Sequence, residues 1–122
     1  MKIKESAENY LETIYILKRR KGNVRSIDIA HELNFSKPSV SVAMKNFREE
    51  GYINVDNSGD ITLTEKGEQI AIKIYERHDL IAKALIAIGV SEETAYADSC
   101  KIEHDISYET FEKIKEYFEN KI

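Results

Sequence analysis

Residues 26–51 read SIDIAHELNFSKPSVSVAMKNFREEG, and this stretch decides the fold. Ile27, Ala30 and Leu33 recur at helical spacing behind Ser26, which can cap a short helix over residues 27–33. Asn34-Phe35 makes a tight turn. Ser36 then caps a second helix with Lys37 and Pro38 in its first turn, where proline's missing N–H costs nothing. Val40, Met44 and Phe47 give that helix an apolar stripe, and Gly51 falls just past its end. Tyr52-Ile53-Asn54-Val55 and Ile61-Thr62-Leu63 alternate like strands around the turn-rich Asp56-Asn57-Ser58-Gly59-Asp60. Two short helices, a tight turn and a two-stranded hairpin describe a winged helix-turn-helix.

Working outward, Tyr10, Leu11, Ile14, Tyr15 and Leu17 predict a first helix from Glu8 to about Arg20, stopped by Gly22-Asn23. Downstream, Thr64 can cap a long helix that runs to about Ile88 and ends at Gly89. Its inner face reads Ile70, Ile74, His78, Ile81 and Leu85, with one polar intruder. Ser91 caps a further helix carrying Glu92 and Glu93 in its first turn. Ser107 begins a last one, where Phe111, Ile114 and Phe118 form a narrow stripe. The chain is thus mainly α, with a winged helix-turn-helix over residues 1–70 and a helical part over 71–122.

At 122 residues, with 42% hydrophobic and 33% charged side chains, the composition is that of a soluble globular protein with a real core. No apolar run approaches the roughly 20 residues that span a bilayer, and MKIKESAENY lacks the features of a signal peptide. A single cysteine forms no internal disulfide, so a reducing cytoplasm is the expected compartment, with no membrane partner. The net charge of -4 argues against nucleic acid, but it hides an asymmetry. From Ile16 to Glu50 eight basic residues face four acidic ones, whereas from Ala71 to Ile122 seven basic residues face eleven acidic ones. A basic front suits phosphates, and the acidic back has other work.

The second helix of a helix-turn-helix fits the major groove, and its N-terminal residues reach base edges. Here these are Ser36, Lys37, Pro38, Ser39, Ser41 and Val42, with Arg25 and Lys45 as flanking cations. Serine and lysine donate to phosphates, the helix N-terminus attracts anions, and Pro38 and Val42 suit thymine methyl groups. Asp56 and Asp60 make the wing a poor phosphate binder. No phosphate-cradling glycine loop, Ser/His/Asp series or nucleophile elbow points to catalysis or a small organic substrate.

A second constellation concerns metal. Cys100, Glu103 and His104 stand at i, i+3 and i+4 and so leave one helix from one face. His78 interrupts an apolar stripe, and Asn9 and Glu12 share a face of the first helix. Each has a bland alternative: a core histidine, a solvated carboxylate, a buried thiol beside a Glu-His pair. Three helices each offering N, O or S donors fit better with one site among them. Carboxylates and imidazoles suit Mn(II) or Fe(II), while a thiolate biases toward softer iron, cobalt, nickel or zinc.

These residues resemble the metal-dependent transcriptional repressors of the diphtheria toxin repressor and manganese transport regulator type. The carrying segments are Glu8 to Tyr15, the helix-turn-helix from Ile27 to Gly51, Thr64-Glu65-Lys66-Gly67, Arg77-His78, and Cys100 to Ser107. The resemblance implies a cytoplasmic homodimer whose C-terminal helical domain binds metal and dimerises, and whose winged helices bind a palindromic operator in double-stranded DNA. It implies Asn9, Glu12, His78, Cys100, Glu103 and His104 around a divalent ion, Fe(II) or Mn(II), with Co, Ni or Zn as substitutes. Glu12 and Glu103 would be the bridging carboxylates. Asn9 stands where one type has aspartate and the other methionine, and Cys100 follows the iron type. Ala82 and Tyr96 replace ligands of the iron type's ancillary site, so no separate ancillary site is expected. Val42 replaces a polar recognition residue.

The expected function is metal-activated repression of iron or manganese homeostasis genes by a protein that is not an enzyme. Activation should weaken as pH falls toward about 6, since ligands must be deprotonated. The rivals are a winged-helix regulator without metal control, a redox sensor acting through Cys100, and, furthest, a metal-dependent hydrolase.

Overall fold

The computed structural model describes residues 5–119 and divides into two compact units, the first ending at Ile72 and the second beginning at Lys73. The first holds α1 (Glu5–Lys21), α2 (Ser26–Leu33), α3 (Lys37–Glu49), β1 (Ile53–Val55) and β2 (Ile61–Leu63). It also holds the start of α4 (Glu65–Ala87), whose remainder joins α5 (Glu92–Asp105) and α6 (Tyr108–Glu119) in the second unit. Among the described residues, no helix is long and apolar enough to cross a membrane.

The first unit is a winged helix-turn-helix. Leu11, Ile14 and Leu17 of α1 meet Ile29 and Ala30 of α2 and the Val40, Met44, Phe47 stripe of α3 in one buried core. Tyr10 sets its ring edge-on against both Phe35 and Phe47, and burial raises its hydroxyl above the ordinary tyrosine range. The turn between α2 and α3 closes through Asn34, which is left-handed at φ 56° and tolerates that region better than most side chains. Ser36 caps α3 by accepting the Ser39 amide at 3.3 Å. Gly51, at φ +84°, takes the chain from α3 into β1. The hairpin is antiparallel, with Ile53 opposite Leu63 and Val55 opposite Ile61.

One expectation changes. Ser26 does not cap α2 but is its first residue: the Arg25 amide donates to the Asp28 carboxylate at 2.9 Å. An acid three residues on reaches back to the orphan amide, as the reciprocal half of a capping box does. A hydrogen bond from Lys21, then the one from Arg25, holds that carboxyl below its usual range. The wing's acids are engaged in hydrogen bonds. Asp56 Oδ1 accepts the Ser58 amide, the Ser58 hydroxyl and the Asp60 amide, shaping the loop. Asp60 accepts both Lys18 Nζ, at 2.7 and 2.8 Å, and the Val24 amide at 2.9 Å. The Ile61 amide donates to the Val24 carbonyl at 2.7 Å, so α1, the α1–α2 loop and the wing are joined at one place.

Thr64 caps α4 by accepting the Gly67 amide and also donates to the Gly51 carbonyl at 2.7 Å. A Cβ at Gly67 would overlap the Tyr52 carbonyl oxygen, so the residue must be glycine for steric reasons. In the second unit Ile74, Ile81, Ala82 and Ala84 of α4 are buried together with Ala95 and Ser99 of α5 and Phe111 of α6. Ser91 and Ser107 cap α5 and α6 by accepting the Thr94 and Thr110 amides.

Gly67→Ala should lose about 1–3 kcal/mol in urea denaturation through that overlap; unchanged stability would mean that the Tyr52 carbonyl yields freely. The Asp60 carboxyl is lowered by the Lys18 hydrogen bond first and the Val24 amide second. Its stabilising contribution is therefore present above the ordinary carboxylate range and lost as pH falls through the lowered native value. Urea midpoints of the wild type and Asp60→Asn should differ at neutral pH and converge as pH falls below the ordinary carboxylate range; a gap independent of pH would contradict the assignment.

Candidate DNA-binding face and metal centre

The exposed side of α3 is built by exclusion. With Val40, Met44 and Phe47 in the core, the opposite side of α3 faces out, and Lys37, Pro38, Ser39, Ser41, Val42 and Lys45 are all exposed. Ser36 and Arg25, at the two helix starts, are exposed as well. Of the basic residues in this region, Lys18, Arg20 and Lys21 are occupied by Asp60, Glu32 and Asp28. Arg25, Lys37, Lys45 and Arg48 are exposed and enter no ion pair among the described residues. The positive charge left uncompensated therefore collects on α3 and at the α2 start. Val42 is 61% exposed, an apolar side chain that the fold itself does not use.

The second unit gathers the α5 donors. Glu103 is only 3% exposed, and His104 Nε2 lies 3.2 Å from its Oε2. Cys100, one turn earlier, is half-buried. Arg77 of α4 approaches the same carboxylate at 3.9 Å and donates from Nη2 to the Glu103 carbonyl at 3.3 Å, while its guanidinium stacks 4.8 Å from the Phe111 ring centre. One cation thus ties α4, α5 and α6 around a buried carboxylate, a placement that costs heavily without compensation.

His78 is half-buried, and its Nε2 lies 3.0 Å from the Tyr96 carbonyl oxygen, which also accepts the Ser99 hydroxyl. A carbonyl only accepts, so Nε2 carries the hydrogen and Nδ1 bears the lone pair in the neutral ring. This is how a ligating histidine is ordinarily held. Tyr96 itself donates its hydroxyl to Asp79 at 3.0 Å, and Asp79 is paired with Lys83. Partial desolvation and that hydrogen bond raise the phenol above its ordinary range. Tyr96 is thereby committed to α4, and Ala82 is buried and offers no donor atom.

Within the first unit, Glu12 is buried at 5% exposure and Asn9 half-buried. The sequence reading passed over Glu8, half-buried one turn before Glu12 at i, i+4, which puts a second carboxylate on that side of α1 beside the neutral Asn9 amide. It also passed over Arg77 as a site residue. Nothing local distinguishes a guanidinium on a long helix from a solvated one, because its partner is 26 residues away. A carboxylate–imidazole pair with a thiol one turn away fits a divalent transition ion in donor chemistry.

A family model described as the iron dependent repressor N-terminal DNA binding domain matches residues 2–60, and the iron dependent repressor metal binding and dimerisation domain matches 64–121. The HTH-type transcriptional regulator MntR of Lysinibacillus sphaericus is 36% identical over 109 residues, covering 89% of this chain and 78% of that protein. The solved manganese regulator SloR superposes with a TM-score of 0.77 at 26% identity, over 93% of this chain and 53% of that one. The T. acidophilum protein IdeR gives a TM-score of 0.82 at 26% identity, over 98% and 55%. The chain thus spans about half the length of these two solved relatives.

Arg77→Met should destabilise the protein by about 2 kcal/mol in urea, less than the loss of a fully buried partner because the pair is long and Arg77 is 18% exposed. Adding Glu103→Gln should recover much of that loss. Equal stability of Arg77→Met and wild type would remove Arg77 from the account.

Proposed function

This chain belongs to the iron-dependent repressor family, and from that premise we propose that it is a cytoplasmic homodimer that represses iron or manganese homeostasis genes when loaded with a divalent metal. The observation that carries the reading is the buried Glu103–His104 pair on α5, one turn from Cys100, within the region matched by the family's metal-binding domain. The exposed cations of α3 and the α2 start support the other half of the reading, contact with a palindromic DNA operator. The reading is of a regulator, not an enzyme.

The residues that would hold the metal are Cys100, Glu103 and His104 of α5, His78 of α4, whose Nδ1 bears the lone pair, and Glu12 with Asn9 of α1. Glu8 supplies a charged oxygen where Asn9 supplies only a neutral one. The chemistry the ion supplies is charge: it neutralises carboxylates that otherwise repel. Arg77 keeps the Glu103 carboxylate buried and oriented before metal arrives. The Tyr96 carbonyl holds the His78 ring, and the capped, packed α3 presents its outer face without rearrangement. Ligands drawn from both α1 and α5 give the ion a means to favour one arrangement for DNA. A 100-fold gain in operator affinity requires a coupling of only about 2.7 kcal/mol. The likeness to the solved manganese regulator SloR favours Mn(II), whereas the Cys100 thiolate favours Fe(II).

Anaerobic fluorescence anisotropy on DNA from upstream of its own gene, with chelator, Mn(II) or Fe(II), tests this. One of the ions should raise affinity tenfold or more, and His104→Ala and Glu103→Ala should each abolish that response. Equal affinity in chelator and in both metals would overturn metal control.

A further inference from the structure

We propose that this chain discriminates its operator chiefly through a thymine methyl group, with Val42 as the specificity-determining residue. The inference rests on the DNA-binding reading above and deepens it. Pro38 and Val42 stand one turn apart on the exposed side of α3, opposite the buried Val40, Met44 and Phe47. The polar groups of the first turns of α3 are otherwise engaged or indifferent to sequence. The Ser36 hydroxyl is used in both directions by the cap, donating to the Ser39 hydroxyl at 2.8 Å and accepting the Ser39 amide. Serine hydroxyls pair with any base, since they both donate and accept. Ser41 and Lys37 lie toward α2, where they line a cleft with Ser26 and Ile27. Lys45, one turn beyond Val42, is a flexible cation suited to a phosphate.

What remains at the centre of the face is Val42, 61% exposed and without a donor or an acceptor. In the major groove the C5-methyl of thymine is the apolar marker that such a side chain reads, and cytosine, adenine and guanine offer it nothing to contact. A polar residue there would have read a donor or an acceptor; valine reads shape and hydrophobicity alone. Since Val42 is not part of the core, replacing it leaves the fold intact.

The test takes the full chain in MnCl2 and selects duplexes from a random-sequence library. Each thymine of the selected duplex is then replaced by deoxyuridine, which removes the methyl and keeps the pairing. At one or two positions per half-site the replacement should weaken wild-type binding about fourfold, the effect of one buried methyl. Val42→Ala should bind the thymine duplex more weakly than wild type and lose the deoxyuridine penalty at one of those positions. Selected duplexes indifferent to deoxyuridine everywhere, penalties unchanged in Val42→Ala, or binding without enrichment of any sequence would each overturn the proposal while leaving DNA binding standing. Binding to no duplex at all would bring down the functional reading and this inference with it.

Discussion

Glu103 is a carboxylate withdrawn almost wholly from water, and its compensation organises the second unit. An unpaired buried charge costs several kcal/mol, so positive charge must be brought to it. Arg77 brings some, reaching from α4 with its guanidinium flat against Phe111 of α6. The pair is long at 3.9 Å, and Arg77 spends another donor on the Glu103 carbonyl. His104 and Cys100 are placed beside it by nothing more than helical spacing. A structural need, keeping a buried charge tolerable, and the proposed functional one, holding a divalent ion, thus fall on the same side chains.

The first unit is fastened by a few contacts between its elements. Asp60 gathers Lys18 and the Val24 amide, Thr64 bridges the Gly51 carbonyl and the α4 start, and Gly67 lets α4 approach the Tyr52 carbonyl.

Much of this was legible in the sequence because it rests on short-range rules. The caps at Ser36, Thr64, Ser91 and Ser107, the stop at Gly51 and the α3 stripe follow from spacing alone, and the structure has them. The Cys100, Glu103, His104 cluster was visible for the same reason. Contacts between residues far apart in sequence were not. That Asp60 faces Lys18, 42 residues away, and that Arg77 answers Glu103 are products of tertiary packing that no local pattern announces. The cap of α2 was misread because serine beside a helix start is the common solution, and the Asp28 carboxylate had already taken the amide. Glu8 was passed over because Asn9 and Glu12 occupied the positions the family resemblance highlighted.

The central claim is that metal and DNA bind to one thermodynamically coupled system. Linkage requires the coupling to be reciprocal. The most direct test is therefore the Mn(II) or Fe(II) affinity of the protein, measured anaerobically with and without a saturating operator duplex. The account predicts that DNA tightens metal binding by the same factor by which metal tightens DNA binding. A metal affinity identical in the presence and absence of operator would contradict it.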